Sequence, residues 1–170
     1  QGNDTLISIE NIYGSHAGDT LVGDASNNRL EGNGGDDSIL GAGGQDVLVG
    51  GQGNDTLDGG VVTDLTNYTD INTVSYAADP GGVIIDLSGI SGDGSVGEGT
   101  AIDGWGNTDT LRNVQIIVGS SGNDSIQGSS AEILEMFEGG AGNDTMDGGA
   151  ISGNAINRLS YANATGAVTV

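Results

Sequence analysis

In the stretch 32–60, GNGGDDSILGAGGQDVLVGGQGNDTLDGG, a large aliphatic residue returns every nine positions, at Ile39, Leu48 and Leu57, preceded each time by glycines and an aspartate. The unit is GGxGxDxUx, with U the aliphatic. Glycine permits the positive φ angles of a tight turn, and the x-U-x triplet is long enough for one minimal strand that turns a single aliphatic inward. One inward side chain per unit cannot offset the entropy of ordering nine residues, so the pattern predicts short strands that become stable only when units stack. With the aspartate as the sixth position, five units run in phase: 14–22 (Asp19), 23–31 (Asn28 in its place), 32–40 (Asp37), 41–49 (Asp46) and 50–58 (Asp55).

Outside this run the period changes. Residues 1–6 repeat the hexapeptide 52–57, so the chain reads as beginning inside a unit and as a piece of a longer protein. After Gly60 the phase fails, although Gly59, Gly60 and Asp64 still fit the first, second and sixth positions. Two β-branched segments, 74–76 and 83–87, flank a turn with the one proline and predict strands longer than those of the units. Residues 88–108, rich in glycine and acid without a period, predict an excursion loop. A second pass then begins: 109–128 repeats 4–23, 139–149 repeats 50–60 and 156–170 repeats 71–85, in the same order. The chain therefore divides into a first repeat segment (1–60), a longer-strand block with loops (61–108), a second repeat segment (109–149) and the start of a second block (150–170), a composite unit of about a hundred residues in tandem.

Charge narrows the partners. The 170 residues include 24 acidic against three basic ones, a formal net charge of −21, with no cysteine. Such a chain has no footprint for nucleic acid and is repelled by anionic membrane surfaces, and no apolar run reaches the length of a span. Low hydrophobicity with high charge is also the signature of disorder, which is expected of the chain without bound cations. The aspartates, however, keep fixed offsets from glycine. A glycine loop can turn several carbonyl oxygens to one point while an aspartate adds charge, which suits calcium and its six to eight hard oxygen ligands. Aspartates that recur at one offset come to lie along common edges when the units stack. Carboxylates stacked about 4.8 Å apart repel unless a cation lies between them.

The nonapeptides resemble the RTX (hemolysin-type calcium-binding) repeats of large secreted bacterial proteins. The resemblance implies an all-β fold, a right-handed parallel β-roll or β-solenoid with two units per turn and several Ca2+ ions in its glycine-rich turns, which would align Asp19, Asp37 and Asp55 on one edge and Asn28, Asp46 and Asp64 on the other. By the same resemblance the carbonyls of Gly14 and His16, Gly32 and Gly34, Gly41 and Gly43, and Gly50 and Gln52 would be ligands beside the aspartates, joined in the second pass by Gly119, Asp124, Gly139 and Asp144. Asp124 and Asp144 are two residues further apart than one turn allows, so either a small insertion is looped out near 129–132 or the site there is broken. Asn28, Ile133 and the GWGNTD stretch before Thr110 depart from the pattern.

Little else points to chemistry. His16 is the only histidine, and no serine or carboxylate arrangement has another base, so the chain is not expected to be an enzyme. Trp105 reads as a cover on the end of a turn, with stacking on a sugar as the alternative, and Tyr76 and Tyr161 as sheet packing. Three functions fit: a calcium-stiffened structural segment of an adhesin, surface-layer or fibre-forming protein; a secretion and folding module of a protease, lipase or alginate epimerase; or a carbohydrate-binding module. The first is preferred, because tandem repetition builds length. Its expected partners are calcium ions, neighbouring or identical repeats and extracellular polysaccharide. Its expected place is outside the cell or on its surface, after type I secretion.

Overall fold

The computed structural model describes residues 9–61, 70–91, 97–131, 133–150, 155–164 and 167. Short strands alternate between two sheets, because each x-U-x triplet extends while the glycines between triplets turn the chain across. One sheet stacks β1 (Asn11–Tyr13), β3 (Arg29–Gly34), β5 (Val47–Gln52), β7 (Thr73–Ser75), β11 (Ile116–Val118), β13 (Leu134–Glu138) and β15 (Ile156–Leu159), in that order. The other runs from β2 (Thr20–Val22) through β4 (Ser38–Leu40), β6 (Thr56–Asp58), β10 (Thr108–Arg112), β9 (Gly99–Ile102), β8 (Ile84–Asp86) and β12 (Ser125–Gln127) to β14 (Thr145–Asp147). Registers such as Asn11↔Arg29 and Thr20↔Ser38 fix one turn at two nine-residue units. The all-β parallel roll implied by the repeats is the architecture present.

The repeating aliphatics form two facing ladders. Leu30, Leu48, Val74, Ile117 and Phe137 pair in register along one sheet, and Leu21, Ile39, Leu57 and Leu111 along the other, nearly all fully buried. Burying a Leu or Ile contributes roughly 1.5–3 kcal/mol, so each turn brings only two such increments and leans on its neighbours.

Three expectations are corrected. The segments read as longer strands are three residues each, because Tyr76, Val83 and Leu87 are buried outside the ladders rather than extending them. The 88–108 stretch is not wholly a loop: β9 lies within it and pairs antiparallel with both β8 and β10, an inversion inside an otherwise parallel sheet. The inversion also sets the strand order: β10 follows β6, and β9 lies between β10 and β8. Tyr76 is 2% exposed and packs inside the roll, whereas Tyr161 is 40% exposed, so the two tyrosines are not equivalent.

Candidate metal centres in the turns

The side chains of Asp37, Asp46, Asp55, Asp124 and Asp144, at the sixth position, each join two turns. The Asp19 amide donates to Asp37 Oδ1 at 2.7 Å, Asp37 to Asp55 at 2.8 Å, and Asp55 to Asp109 at 2.9 Å. On the opposite edge Asn28 donates to Asp46 Oδ1, Asp46 to Asn72 Oδ1 and Asn72 to Gln115 Oε1. In the second pass Val83 donates to Asp124 Oδ1 and Asp124 to Asp144 Oδ1. Asp64 lies outside the described residues; the place after Asp46 is held by Asn72. A polar residue directly before a strand triplet, as in Asn72-Thr73-Val74-Ser75, is the signal that could have found Asn72 and Gln115.

The second oxygen decides what a turn can hold. It points at the first-position glycine of its own unit: a Cβ at Gly32, Gly41, Gly50, Gly119 or Gly139 would overlap Asp37, Asp46, Asp55, Asp124 or Asp144 Oδ2, and one at Gly14 would lie 2.8 Å from Asp19 Oδ2. At three of these positions the carbonyl of the next turn's glycine reaches the same spot, with Gly32 O 2.6 Å from the Gly14 position, Gly50 O 2.6 Å from the Gly32 position and Gly139 O 2.7 Å from the Gly119 position. From here two kinds of turn diverge. At Asp19 and Asp124 the second-position serine closes the carboxylate, Ser15 N donating to Asp19 Oδ2 at 2.6 Å and Ser120 N to Asp124 Oδ2 at 2.9 Å, with both hydroxyls added. At Asp37, Asp46 and Asp55 the second position is left-handed (Asn33 φ 74°, Ala42 φ 81°, Gly51 φ 98°), and Oδ2 is buried with no hydrogen-bond partner.

A buried carboxylate oxygen without a partner costs free energy unless it is protonated or meets a cation. Burial therefore pushes Asp46 up to about 6 and Asp55 up to about 7, and raises Asp37 as well; neighbouring acidic charges add to the effect at all three. These turns fit calcium on that ground. Among the described residues no three His, Asp or Glu side chains converge on one point, so carbonyl oxygens would have to complete the shell of any ion.

The expected carbonyl donors are placed unevenly. Gly14 O accepts from Asn33 Nδ2 at 2.9 Å and Gln52 O from the Gly35 amide at 2.9 Å, each leaving one lone pair. Gly43 O and Gly34 O lie in the open turns. His16 is exposed, its Nδ1 3.7 Å from the Cβ position of Gly34, and it belongs to a turn of the closed kind. The lengthened unit beginning at Gly128 carries a carboxylate that the repeat pattern misses. Glu135 is buried and accepts from Ser129 N, as Asp124 does from Ser120 N, and a Cβ at Gly128 would lie 3.0 Å from its Oε2 and 2.7 Å from Gly148 O. Burial raises the Glu135 carboxyl above the ordinary range. Trp105, 42% exposed, sits on the turn between β9 and β10.

A stack of turns that presents one carboxylate per unit to a glycine cage is a repeat architecture for cations along the edges of a roll. In agreement, four copies of the RTX calcium-binding nonapeptide repeat match residues 13–48, 41–61, 115–131 and 136–150. These stretches are RTX repeats, so the chain carries an RTX repeat region, and its repeats are calcium-binding, structural ones. No curated protein matches it significantly.

Proposed function

We propose that this chain is a structural segment of a secreted protein that is unfolded where it is made and folds when its turns take up extracellular calcium. The reading rests on one observation: three consecutive buried carboxylates, Asp37, Asp46 and Asp55, each keep an oxygen without a partner beside the first glycine of their own unit, and at Asp37 the Gly50 carbonyl reaches the same point. With a net charge of −21 and three basic residues, the chain cannot supply the compensating charge itself. Extracellular calcium modules have dissociation constants on the order of 10⁻⁴ to 10⁻³ M, far above cytosolic free calcium, so the same sequence is extended on one side of the envelope and rigid on the other. RTX repeats occur in secreted bacterial proteins, and tandem composite units suit an adhesin, surface-layer or fibre protein that needs length. In this reading Gly32, Gly41 and Gly50 with Asp37, Asp46 and Asp55 hold the ions. Calcium supplies the charge that closes each pair of turns.

The test is far-ultraviolet circular dichroism at neutral pH, in chelator and then in millimolar calcium. A disordered spectrum that becomes β only with calcium is the expected result, and magnesium at equal concentration is expected to act weakly because it keeps its waters and demands octahedral geometry. A β spectrum indifferent to chelator would sink the proposal. The two kinds of turn give a sharper comparison. Asp37→Asn is expected to raise the calcium midpoint roughly tenfold, equivalent to ~1.4 kcal/mol, while Asp19→Asn shifts it less than about twofold because Ser15 already satisfies that side chain. Equal shifts would contradict the division.

A further inference from the structure

The antiparallel strand β9 brings together two acidic turns that no matched repeat covers. The 79–82 turn leaves the buried Tyr76, whose carbonyl accepts the Asp79 amide at 2.9 Å, and the 103–106 turn joins β9 to β10. The two meet closely: Gly104 N donates to Asp79 Oδ2 at 2.8 Å, Gly81 O lies 2.7 Å from the Cβ position of Gly104, and Gly104 O lies 3.1 Å from that of Gly81. Asp79 is 5% exposed and Asp103 2%. Asp103 Oδ1 accepts from Trp105 N and Asn107 N, but its Oδ2 is buried and has no hydrogen-bond partner.

Among the described residues no basic side chain pairs with either carboxylate. Asp109, the next carboxylate along, has both oxygens engaged, by Asp55 N and by the Tyr76 hydroxyl, and brings a further negative charge. The chain has no lysine; Arg29 pairs with Glu31 and Arg112 with Glu98, and Arg158 stands on β15 at the end of the other sheet. Two nearly buried carboxylates in contact through one glycine need an external cation or protons.

We infer that the seam between the 79–82 and 103–106 turns binds one further hard divalent cation, calcium by its all-oxygen donors, through the Asp79 and Asp103 carboxylates and backbone carbonyls. Two carboxylates and carbonyls, rather than three acidic side chains, make the site, in keeping with the absence of any triple cluster among the described residues. Burial, reinforced by Asp103, pushes Asp79 up to about 6 in the metal-free fold. An ion there would lock the inverted strand against the roll at the join between the two repeat runs. The inference needs the fold, but not calcium in the nonapeptide turns.

Trp105 provides a local reporter, since it is the only tryptophan and its amide is 3.0 Å from Asp103 Oδ1. Terbium, a luminescent stand-in for calcium, is added to the calcium-folded chain and excited through indole alone, at the red edge where tyrosine does not absorb. Terbium emission sensitised by tryptophan, displaced by excess calcium, is expected for the wild type. It should be lost in Asp103→Asn and in Trp105→Phe and retained in Asp37→Asn, with the β spectrum in calcium checked for each. Asp79→Asn, also expected to lose the emission, replaces Asp103→Asn if that variant does not fold. A folded wild type without tryptophan-sensitised emission, or a folded Asp103→Asn or Asp79→Asn that keeps it, overturns the inference. Failure of the wild type to fold with calcium would instead strike the proposed function.

Discussion

Gly32→Ala is expected to remove most of the calcium response of the first repeat run. The added methyl would overlap Asp37 Oδ2 and lie 2.6 Å from Gly50 O, so the carboxylate must leave the position where it meets the neighbouring carbonyl. Neither group can yield cheaply, because Asp37 Oδ1 is tied to the Asp19 amide and Gly50 belongs to β5. Overpacking of this kind typically costs 1–3 kcal/mol, and here it falls on a ligand and on the interface between turns together. The calcium midpoint by circular dichroism should rise by about tenfold or more. Gly34→Ala, in the same loop, is the control: its Cβ position is 3.6 Å from the nearest atom, so its midpoint should stay near that of the wild type. Equal behaviour of the two variants would mean that the carboxylate does not need the space beside Gly32.

The second large effect is a reversal of pH dependence by calcium. In the metal-free fold burial raises Asp46, Asp79 and Asp109 to about 6 and Asp55 to about 7, whereas an unfolded aspartate titrates near 3.9. The folded state then holds protons that the unfolded chain has released, so metal-free stability is greatest below about pH 4 and declines as pH rises towards 7. In chelator, acidification from neutral pH to about 5.5 should therefore increase the β signal. With calcium present the sign inverts, because protons compete with the ion for the same oxygens, and the calcium midpoint should rise as pH falls. Circular dichroism titrations at several pH values, with and without chelator, check both halves. A chelated chain that gains no β signal on acidification would show that the buried carboxylates are not what unfolds it.

The parts of this structure legible in the sequence are those where one residue type has one reason to be where it is. Leu48 and Leu57 mark their strands because each is the sole inward side chain of a triplet, and a nine-residue spacing places Asp19, Asp37 and Asp55 on one edge. Strand β9 gave no such mark. Its inward residues are Gly99 and Ala101, and its outward ones are Thr100 and Ile102, the inverse of the usual contrast, because the inverted strand runs where Leu87 already fills the interior beside Gly99. Glu135 was hidden differently: the lengthened unit moves the carboxylate two places beyond Ile133, and the extra methylene of glutamate spans the longer loop. The division between open and closed turns could not be read from composition, since it depends on a left-handed backbone at Asn33 and Ala42, residues that carry no obligation to adopt it. Serine after the first glycine, at Ser15 and Ser120, is the one sequence sign of a closed turn.

Coupled folding predicts that ion uptake and β structure cannot be separated. Equilibrium dialysis against graded calcium, with the β signal read on the same samples, measures both at once. Bound calcium and β signal are expected to rise together over one narrow range near millimolar calcium and to fall together in chelator. A chain that reaches its full β signal before taking up calcium, or that binds calcium without gaining β structure, would contradict it.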